Sequence, residues 1–151
     1  MTIGLAFVED GAVFRYPPEH DRCDRELDDL LDEDDSGRLG ARRYLDGLQD
    51  LAARCPWFID VHAHIGFALL EQGKTRRALE ACRRGVEIGE AAIPSDYAGV
   101  IEWGWLENRP FLRAAHGAVL CHLRLRQWRK ALPLMEKMLA WNPGDTRESA
   151  I

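Results

Sequence analysis

Histidines are the side chains of this chain best suited to bind a metal ion or move a proton, and there are five of them. His62 and His64 are two residues apart, so on a helix they point about 200° apart and do not readily chelate one ion. His116 and His122 are six residues apart and also align poorly. Because the spacing signatures of zinc ligands are missing, we predict no metal and no cofactor.

Cysteine is the strongest nucleophile available, and the four cysteines are widely spaced. No C-x-x-C pair occurs, so we expect reduced, mostly packed thiols in a cytoplasmic protein rather than a disulfide framework. Cys121 adjoins His122, but neighbours on a helix face about 100° apart, which separates thiol from imidazole. A site joining His62 and His116 to Cys82 or Cys121 across helices stays open as a weaker alternative.

Carboxylates are concentrated in residues 24–35, where they could suggest acid–base catalysis or calcium binding. The side chains of Asp32, Asp34 and Ser36, followed by Gly37, imitate the start of an EF-hand loop, but Arg43 stands where the bidentate glutamate belongs. A solvated acidic run seldom tunes a pKa, and no phosphate loop or dinucleotide fingerprint is present. We therefore predict that the protein is not an enzyme.

Charge and composition narrow the possible partners. Residues 1–56 hold 14 acidic and 7 basic side chains, whereas residues 57–151 hold 11 acidic and 13 basic. Such a weakly basic second part argues against nucleic-acid binding. No apolar run approaches the length of a membrane span, and the N-terminus lacks the basic region of a secretory signal. We expect a soluble cytoplasmic protein that binds neither nucleic acid nor membrane.

The elements that must position these side chains are almost all helical. Residues 1–20 form an N-terminal arm, in which Asp10-Gly11 favours a tight β-hairpin turn and Pro17-Pro18 ends any regular element. This hairpin must dock its apolar side chains (Ile3, Leu5, Phe7 and Phe14) or else be mobile. Residues 21–151 form one helical domain.

Apolar periodicity predicts six or seven helices in that domain. The expected segments are 21–35, 39–54, 57–72 and 75–92, a short helix from Ser95 or Asp96 to about Leu106, one opening at Arg109-Pro110, and a last one over 128–140. Gly73, Pro56 and the Asn142-Pro143-Gly144 run act as stop signals.

Several of these segments repeat one another. Leu48, Leu51 and Pro56 are spaced like Met135, Met138 and Pro143. Ala78 and Ala131 supply the small residues that let paired helices approach closely. Gly66 is expected at a close contact between helices, and Gly73 in the turn between them. Self-similar helix–turn–helix units indicate a stacked array. Units at about 59–92 and 112–145 follow a half unit at 39–56, and an insertion rich in aromatic residues precedes the last unit.

With these residues the chain resembles the tetratricopeptide repeat (TPR) proteins, in a bacterial-type form, over about residues 40–145. Ile65-Gly66, Ala78, Ala131 and Pro143 fit the family pattern. His62 replaces an early aromatic residue, Val119 the second glycine, and Glu90 a proline. The resemblance implies an all-α fold of antiparallel helical hairpins, with about two and a half repeats and an inserted helix.

The resemblance also implies a function, because first helices of TPR hairpins line a concave groove that holds peptides. The chain would then be a protein- or peptide-binding adaptor or scaffold. Arginines would bind carboxylates, and a few apolar anchors would dominate affinity. The implied partner-binding residues are Asp60, Phe67, Leu70, Glu71, Arg109, Arg113, His116, Leu120 and Arg124.

Two expectations follow for experiment. Charge reversal of Arg113 and Arg124 is expected to weaken partner capture without lowering the melting temperature. The last hairpin has no solvating helix after it, so Leu132, Leu139 and Trp141 are expected to be covered by a second copy. A self-assembling homodimer is therefore the alternative function. Phe67, Leu70 and Leu120 of the groove could instead be core under the insertion.

Overall fold

The computed structural model describes residues 2–144, so the last residue of the predicted repeat unit 112–145 lies outside the described residues. A two-stranded antiparallel hairpin opens the chain and six α-helices follow. Their bounds are β1 (Gly4–Val8), β2 (Gly11–Arg15), α1 (His20–Asp35), α2 (Ala41–Arg54), α3 (Ile59–Glu71), α4 (Thr75–Ala92), α5 (Arg109–Arg124) and α6 (Trp128–Trp141), with a short 3-10 helix at Leu106–Asn108.

The N-terminal hairpin is docked on the helices. Leu5 pairs with Phe14 across the two strands, and Glu9-Asp10 forms the turn. Phe14 is fully buried and its ring lies 5.1 Å from that of Phe111. Phe7, which we expected to dock as well, is mostly exposed. Strand alternation puts Phe7 on the same face as Leu5, but Phe7 lies beside the turn, where its ring is 5.5 Å from that of Tyr97, measured between centres.

Asn108 holds the hairpin in place through its side-chain amide. The backbone N–H of Phe14 donates to Asn108 Oδ1 at 2.9 Å, and Asn108 Nδ2 donates to the carbonyls of Ala12 at 3.0 Å and Glu102 at 3.1 Å. Asn108 is completely buried. The Asn108 side chain thus satisfies two backbone groups on the edge of β2 that does not pair with β1, as a neighbouring strand would.

The helices form three consecutive antiparallel pairs joined by one type of turn. Each turn contains two backbone hydrogen bonds. One residue donates its N–H to the carbonyl three residues earlier, and the next residue donates to the carbonyl five residues before itself, which is the Schellman pattern. The residue at positive φ is Gly37 (75°), Gly73 (75°) or Arg126 (57°). The hydrogen bonds that span five residues run from the N–H groups of Arg38, Lys74 and Gln127 to the carbonyls of Glu33, Leu69 and His122, respectively.

The ends of α2 and α6 are also alike. Cys55 and Asn142 have nearly the same backbone angles, donate to Leu51 and Met138 respectively, and precede a proline. The predicted correspondence between these two helix ends is therefore present in the backbone.

Close helix packing occurs around Cys82 of α4. A Cβ atom at Gly66 of α3 or at Gly117 of α5 would overlap its sulfur. Ala78 and Ala131, expected at close contacts between paired helices, are both buried. In this way α3, α4 and α5 contact one another.

The predicted helix from Ser95 or Asp96 to Leu106 is wrong. Residues 93–105, here called the crossing segment, have no α-helix. Its backbone is used elsewhere: Val100 accepts a bond from Ala12 of β2, and Ile101 donates to Trp141 at the end of α6. Glycines at 99 and 104 lower helix propensity, and the bonds to distant elements stabilise the extended path.

Candidate functional site

The first turns of α1, α3 and α5 meet the end of β2 in an open cleft of about 560 Å³. Each helix contributes side chains from its N-terminal turns, and the connection between β2 and α1 forms one wall. The lining residues are Phe14, Arg15, Tyr16, Pro17, Pro18, His20, Asp21, Asp24, Asp60, Leu106, Glu107, Arg109, Pro110 and Arg113.

A buried ion pair lies at the base of the cleft. Arg113 Nη1 of α5 is 2.5 Å from Asp60 Oδ1 of α3, and His64 Nε2 lies 3.5 Å from the same oxygen. Burial alone raises the pKa of Asp60, but the hydrogen bonds and charges of His64 and Arg113 outweigh it and hold the pKa below its usual value. Asp60 therefore stays ionised and joins α3 to α5.

Arg109 ties the crossing segment to the rim of the cleft. Its Nε donates to the carbonyl of Trp103 at 2.9 Å, and its guanidinium lies 5.0 Å from the centre of the Trp103 ring. Arg113 approaches the same ring at 5.7 Å. Arginine above an indole face is a favourable cation–π geometry, so the tryptophan orients both arginines.

The opposite wall carries a stacked Tyr16–His20 pair, with ring centres 4.0 Å apart. The Tyr16 hydroxyl donates to the carbonyl of Glu107, and burial, followed by the charges of Asp60 and Glu107, raises the pKa of Tyr16. Burial lowers the pKa of His20, and its Nε2 atom is buried without a hydrogen-bond partner within residues 2–144. Both rings are consequently uncharged at neutral pH.

Neither ring is placed to transfer a proton to a group in the cleft. The Tyr16 hydroxyl is bonded to a backbone carbonyl and His20 Nε2 is buried, and charged and apolar side chains also line the cleft. Asp24 on α1 has a pKa raised first by burial, and Leu106 on the rim is 68% exposed.

Three of the nine groove residues expected from the resemblance line this cleft: Asp60, Arg109 and Arg113. The other six lie further along α3 and α5. There Phe67 stacks with His116 at 6.3 Å between ring centres, Leu120 is half-buried and Glu71 is exposed.

Leu70 and Arg124 have structural positions. Leu70 is buried in the core, and Arg124 Nη1 donates to the Leu70 carbonyl at 3.4 Å, near the end of α3. The pair changes the expectation that charge reversal of Arg113 leaves the melting temperature unchanged: because Arg113 neutralises the buried Asp60, we now expect the reversal to lower it. Both arginines bridge α5 to α3.

Tyr16, His20, Leu106 and Glu107 line the cleft but were not anticipated. Pro17-Pro18 indicated only an interruption, and nothing in the local sequence shows that residues 16–20 lie beside residues 106–107. The Tyr16–Glu107 bond spans 91 residues. The low helix propensity of the crossing segment was the available signal, because a non-helical segment leaves its backbone groups free to bond distant elements.

The cysteines and remaining histidines are engaged elsewhere. Cys23 of α1 and Cys55 at the end of α2 form a disulfide, so our expectation of four reduced thiols is wrong for this pair. Cys82 and Cys121 are buried free thiols that are hydrogen-bonded to each other. His62 Nε2 lies 2.9 Å from the Pro56 carbonyl, and His122 Nδ1 lies 2.8 Å from Gln127 Oε1.

No group of three or more His, Cys, Asp or Glu side chains within residues 2–144 is arranged to hold a metal ion. None of the helices in this range has the length and apolar character needed to cross a bilayer. Comparison with known protein families finds no family that matches the chain, and a search of curated proteins finds no match either.

Proposed function

We propose that this chain is a TPR-like helical-hairpin module that binds a peptide segment of another protein in the cleft at the first turns of α1, α3 and α5. The observation that carries the proposal is the cleft itself, where the first helix of each pair contributes polar side chains around an open space of about 560 Å³.

The helix pairs support the TPR-like part of the proposal. The turns at Gly37, Gly73 and Arg126 share one hydrogen-bond pattern, and α3 contacts both α4 and α5. In stacked repeats each unit contacts only its neighbours, and here α2 contacts α3 and α4 contacts α5, which links each pair to the next. With α1 included, residues 2–144 hold three helix pairs, and we therefore propose three units where the resemblance implied about two and a half.

The lining supports a peptide as the ligand class. Asp21, Asp24 and Glu107 can accept hydrogen bonds from peptide N–H or basic groups, Arg15 and Arg109 can donate to carbonyls or carboxylates, and Leu106 offers an apolar contact. A small metabolite would be expected to fill a more enclosed and more apolar pocket.

The test selects peptides from a display library against the full chain and measures their affinity by fluorescence anisotropy. Leu106→Asp is expected to weaken binding at least about tenfold, the size of a lost apolar anchor. Leu132→Asp is the matched control, because Leu132 is a similarly exposed leucine on α6, outside the cleft. Failure to select any peptide, or equal loss in both variants, would reject the proposal.

We propose a cytoplasmic site of action as part of the same function. The buried free thiols of Cys82 and Cys121 suit a reducing compartment, whereas a disulfide such as Cys23–Cys55 is more usual in an oxidising one. Trapping thiols by alkylation in intact cells before lysis decides between the two compartments. The expected result is that Cys23 and Cys55 are thiols in the cell and form the disulfide of the structure only after lysis. Their recovery as a disulfide from intact cells would contradict the cytoplasmic assignment.

A further inference from the structure

The outer face of α6 carries a stripe of exposed apolar side chains. Trp128, Leu132, Met135 and Leu139 are exposed by 60%, 56%, 39% and 58%. They account for four of the seven large exposed apolar side chains in residues 2–144. Their spacing of four, three and four residues places them on one side of the helix, and we call this set the α6 stripe.

A comparison with α2 indicates that a helix is the natural cover for this stripe. The shared geometry of the two helix ends aligns Leu45 of α2 with Leu132, and Leu48 with Met135. Leu45 and Leu48 are buried in the core cluster that α2 forms with α1 and α3. Within the described residues no helix follows α6, so the corresponding side chains stay exposed.

We infer that the α6 stripe is the interface with a second copy of this chain, paired antiparallel through α6 about a two-fold axis. The stripe is symmetric about its centre, between Pro133 and Leu134. A two-fold rotation therefore sets Trp128 of one copy against Leu139 of the other, and Leu132 against Met135. Such a self-complementary surface is what a two-fold interface requires, and alternate spacings of four and three suit paired helices.

Charges beside the stripe select the same orientation. Arg129 and Glu136 each follow a stripe residue by one position and lie on the same flank. In the antiparallel pair, Arg129 of each copy faces Glu136 of the other, so two ion pairs form. In a parallel pair this flank would face the side that holds Ala131, which is buried within its own molecule.

We do not expect the α6 stripe of one copy to pack against α1, at the other end of the helix array, in a second copy. The outer surface of α1 exposes Asp28, Asp29 and Asp32 rather than apolar side chains, so a head-to-tail contact would cover the α6 stripe with carboxylates. Desolvating these without partners is unfavourable. Such a contact would also build open chains instead of a closed dimer.

Trp141, which we had placed at this interface from the sequence, does not belong to it. Its ring is buried 4.9 Å from that of Phe111, measured between centres. It closes the core of its own molecule, and Trp128 and Met135 take part in the interface instead.

Sedimentation velocity of the full chain tests the inference. The mass is expected to rise from 17.2 kDa to twice that value between about 1 µM and 1 mM, the range of weak to moderate complexes. Leu132→Asp is expected to weaken association at least about tenfold and Leu106→Asp to leave it unchanged. Leu132 is exposed, so its variant should fold, and circular dichroism verifies this.

A charge swap tests the orientation. Arg129→Glu or Glu136→Arg alone is expected to weaken the dimer by like-charge contact, and the double variant to restore it. A monomer throughout the range, growth beyond the dimer, or a double variant no better than the single ones would overturn the inference. Peptide binding at the cleft uses other residues, so either proposal can fail without the other.

Discussion

At the level of single residues, the Asp60–Arg113 pair is the main polar link between α3 and α5. Their side chains are exposed by only 12% and 28%, so solvent screens the pair little. Removing one partner of a buried pair leaves an uncompensated charge, which costs more than the pair itself contributes. Its position at the base of the cleft makes it a support for the binding surface.

Arg113→Met is predicted to lower the free energy of unfolding by about 2–3 kcal/mol, because Asp60 loses its permanently charged partner in a buried position. Urea denaturation followed by circular dichroism measures the change. Arg124→Met serves as the control: it removes one hydrogen bond at 3.4 Å to a backbone carbonyl and should cost less than about 1 kcal/mol. Equal effects would contradict the assigned role of Asp60–Arg113.

His62 is predicted to make stability depend on pH in the mildly acidic range. Burial lowers its pKa, the charge of Arg84 lowers it further, and the bond to the Pro56 carbonyl only partly opposes them. Below about pH 6.5 the unfolded chain thus binds a proton that the folded chain does not. Stability should fall as the pH drops from that value towards the lowered folded pKa, by at most about 1.4 kcal/mol per pH unit.

His62→Gln checks this prediction, since glutamine can still donate to the Pro56 carbonyl but does not titrate. Unfolding free energies of wild type and variant are compared at several pH values between about 7 and 5. The variant should keep a weaker dependence, because burial also lowers the pKa of His20. Parallel curves for both proteins would show that His62 has no part in it.

At the level of elements, the chain depends on segments that are not helical. Asn108 joins three of these segments. It belongs to the 3-10 helix and forms hydrogen bonds with both the β-hairpin and the crossing segment. These contacts set the wall of the cleft formed by residues 14–18, since β2 runs directly into it.

Asn108→Ala is predicted to destabilise the protein by about 2–4 kcal/mol, because several buried backbone groups lose their partner. Asn142→Ala is the matched control, as this buried asparagine makes one bond through Oδ1 to Trp103 N–H while its Nδ2 has no partner within the described chain. It should cost about 1 kcal/mol. Thermal denaturation ranks the two variants, and the reverse order would refute the role of Asn108.

At the level of the whole molecule, the Cys23–Cys55 disulfide closes a loop of 32 residues in sequence. Such a link acts on the entire folding equilibrium, because it limits the conformations of the unfolded chain. By loop length alone the expected stabilisation is about 3–4 kcal/mol. Reduction should therefore lower the unfolding free energy of the whole chain.

Thiol counting provides the measurement for this prediction. Alkylation in denaturant without reductant should label Cys82 and Cys121 but not the other two cysteines, and mass spectrometry after digestion identifies the sites. Denaturation with and without dithiothreitol then gives the change in stability. Four labelled cysteines, or identical unfolding curves, would contradict the disulfide.

The sequence alone determined the helices and their ends, apart from the one placed in the crossing segment. Glycine at positions 37 and 73 and proline at 56 and 143 act through local backbone angles, and apolar periodicity acts within a few turns. The same local patterns indicated the equivalence of α2 and α6. Ala78 and Ala131 were correctly expected to be buried, because small residues at such positions permit close helix contact.

Only the tertiary structure decided where the cleft lies, how the hairpin docks and which cysteines pair. The bond from Phe14 to Asn108 spans 94 residues, the Asp60–Arg113 pair spans 53, and the crossing segment trades helical bonds for distant ones. Such interactions leave no periodic trace in the sequence, since their partners are brought together only when the helix pairs pack. The exposed α6 stripe follows from the same cause, because exposure depends on which neighbours are present.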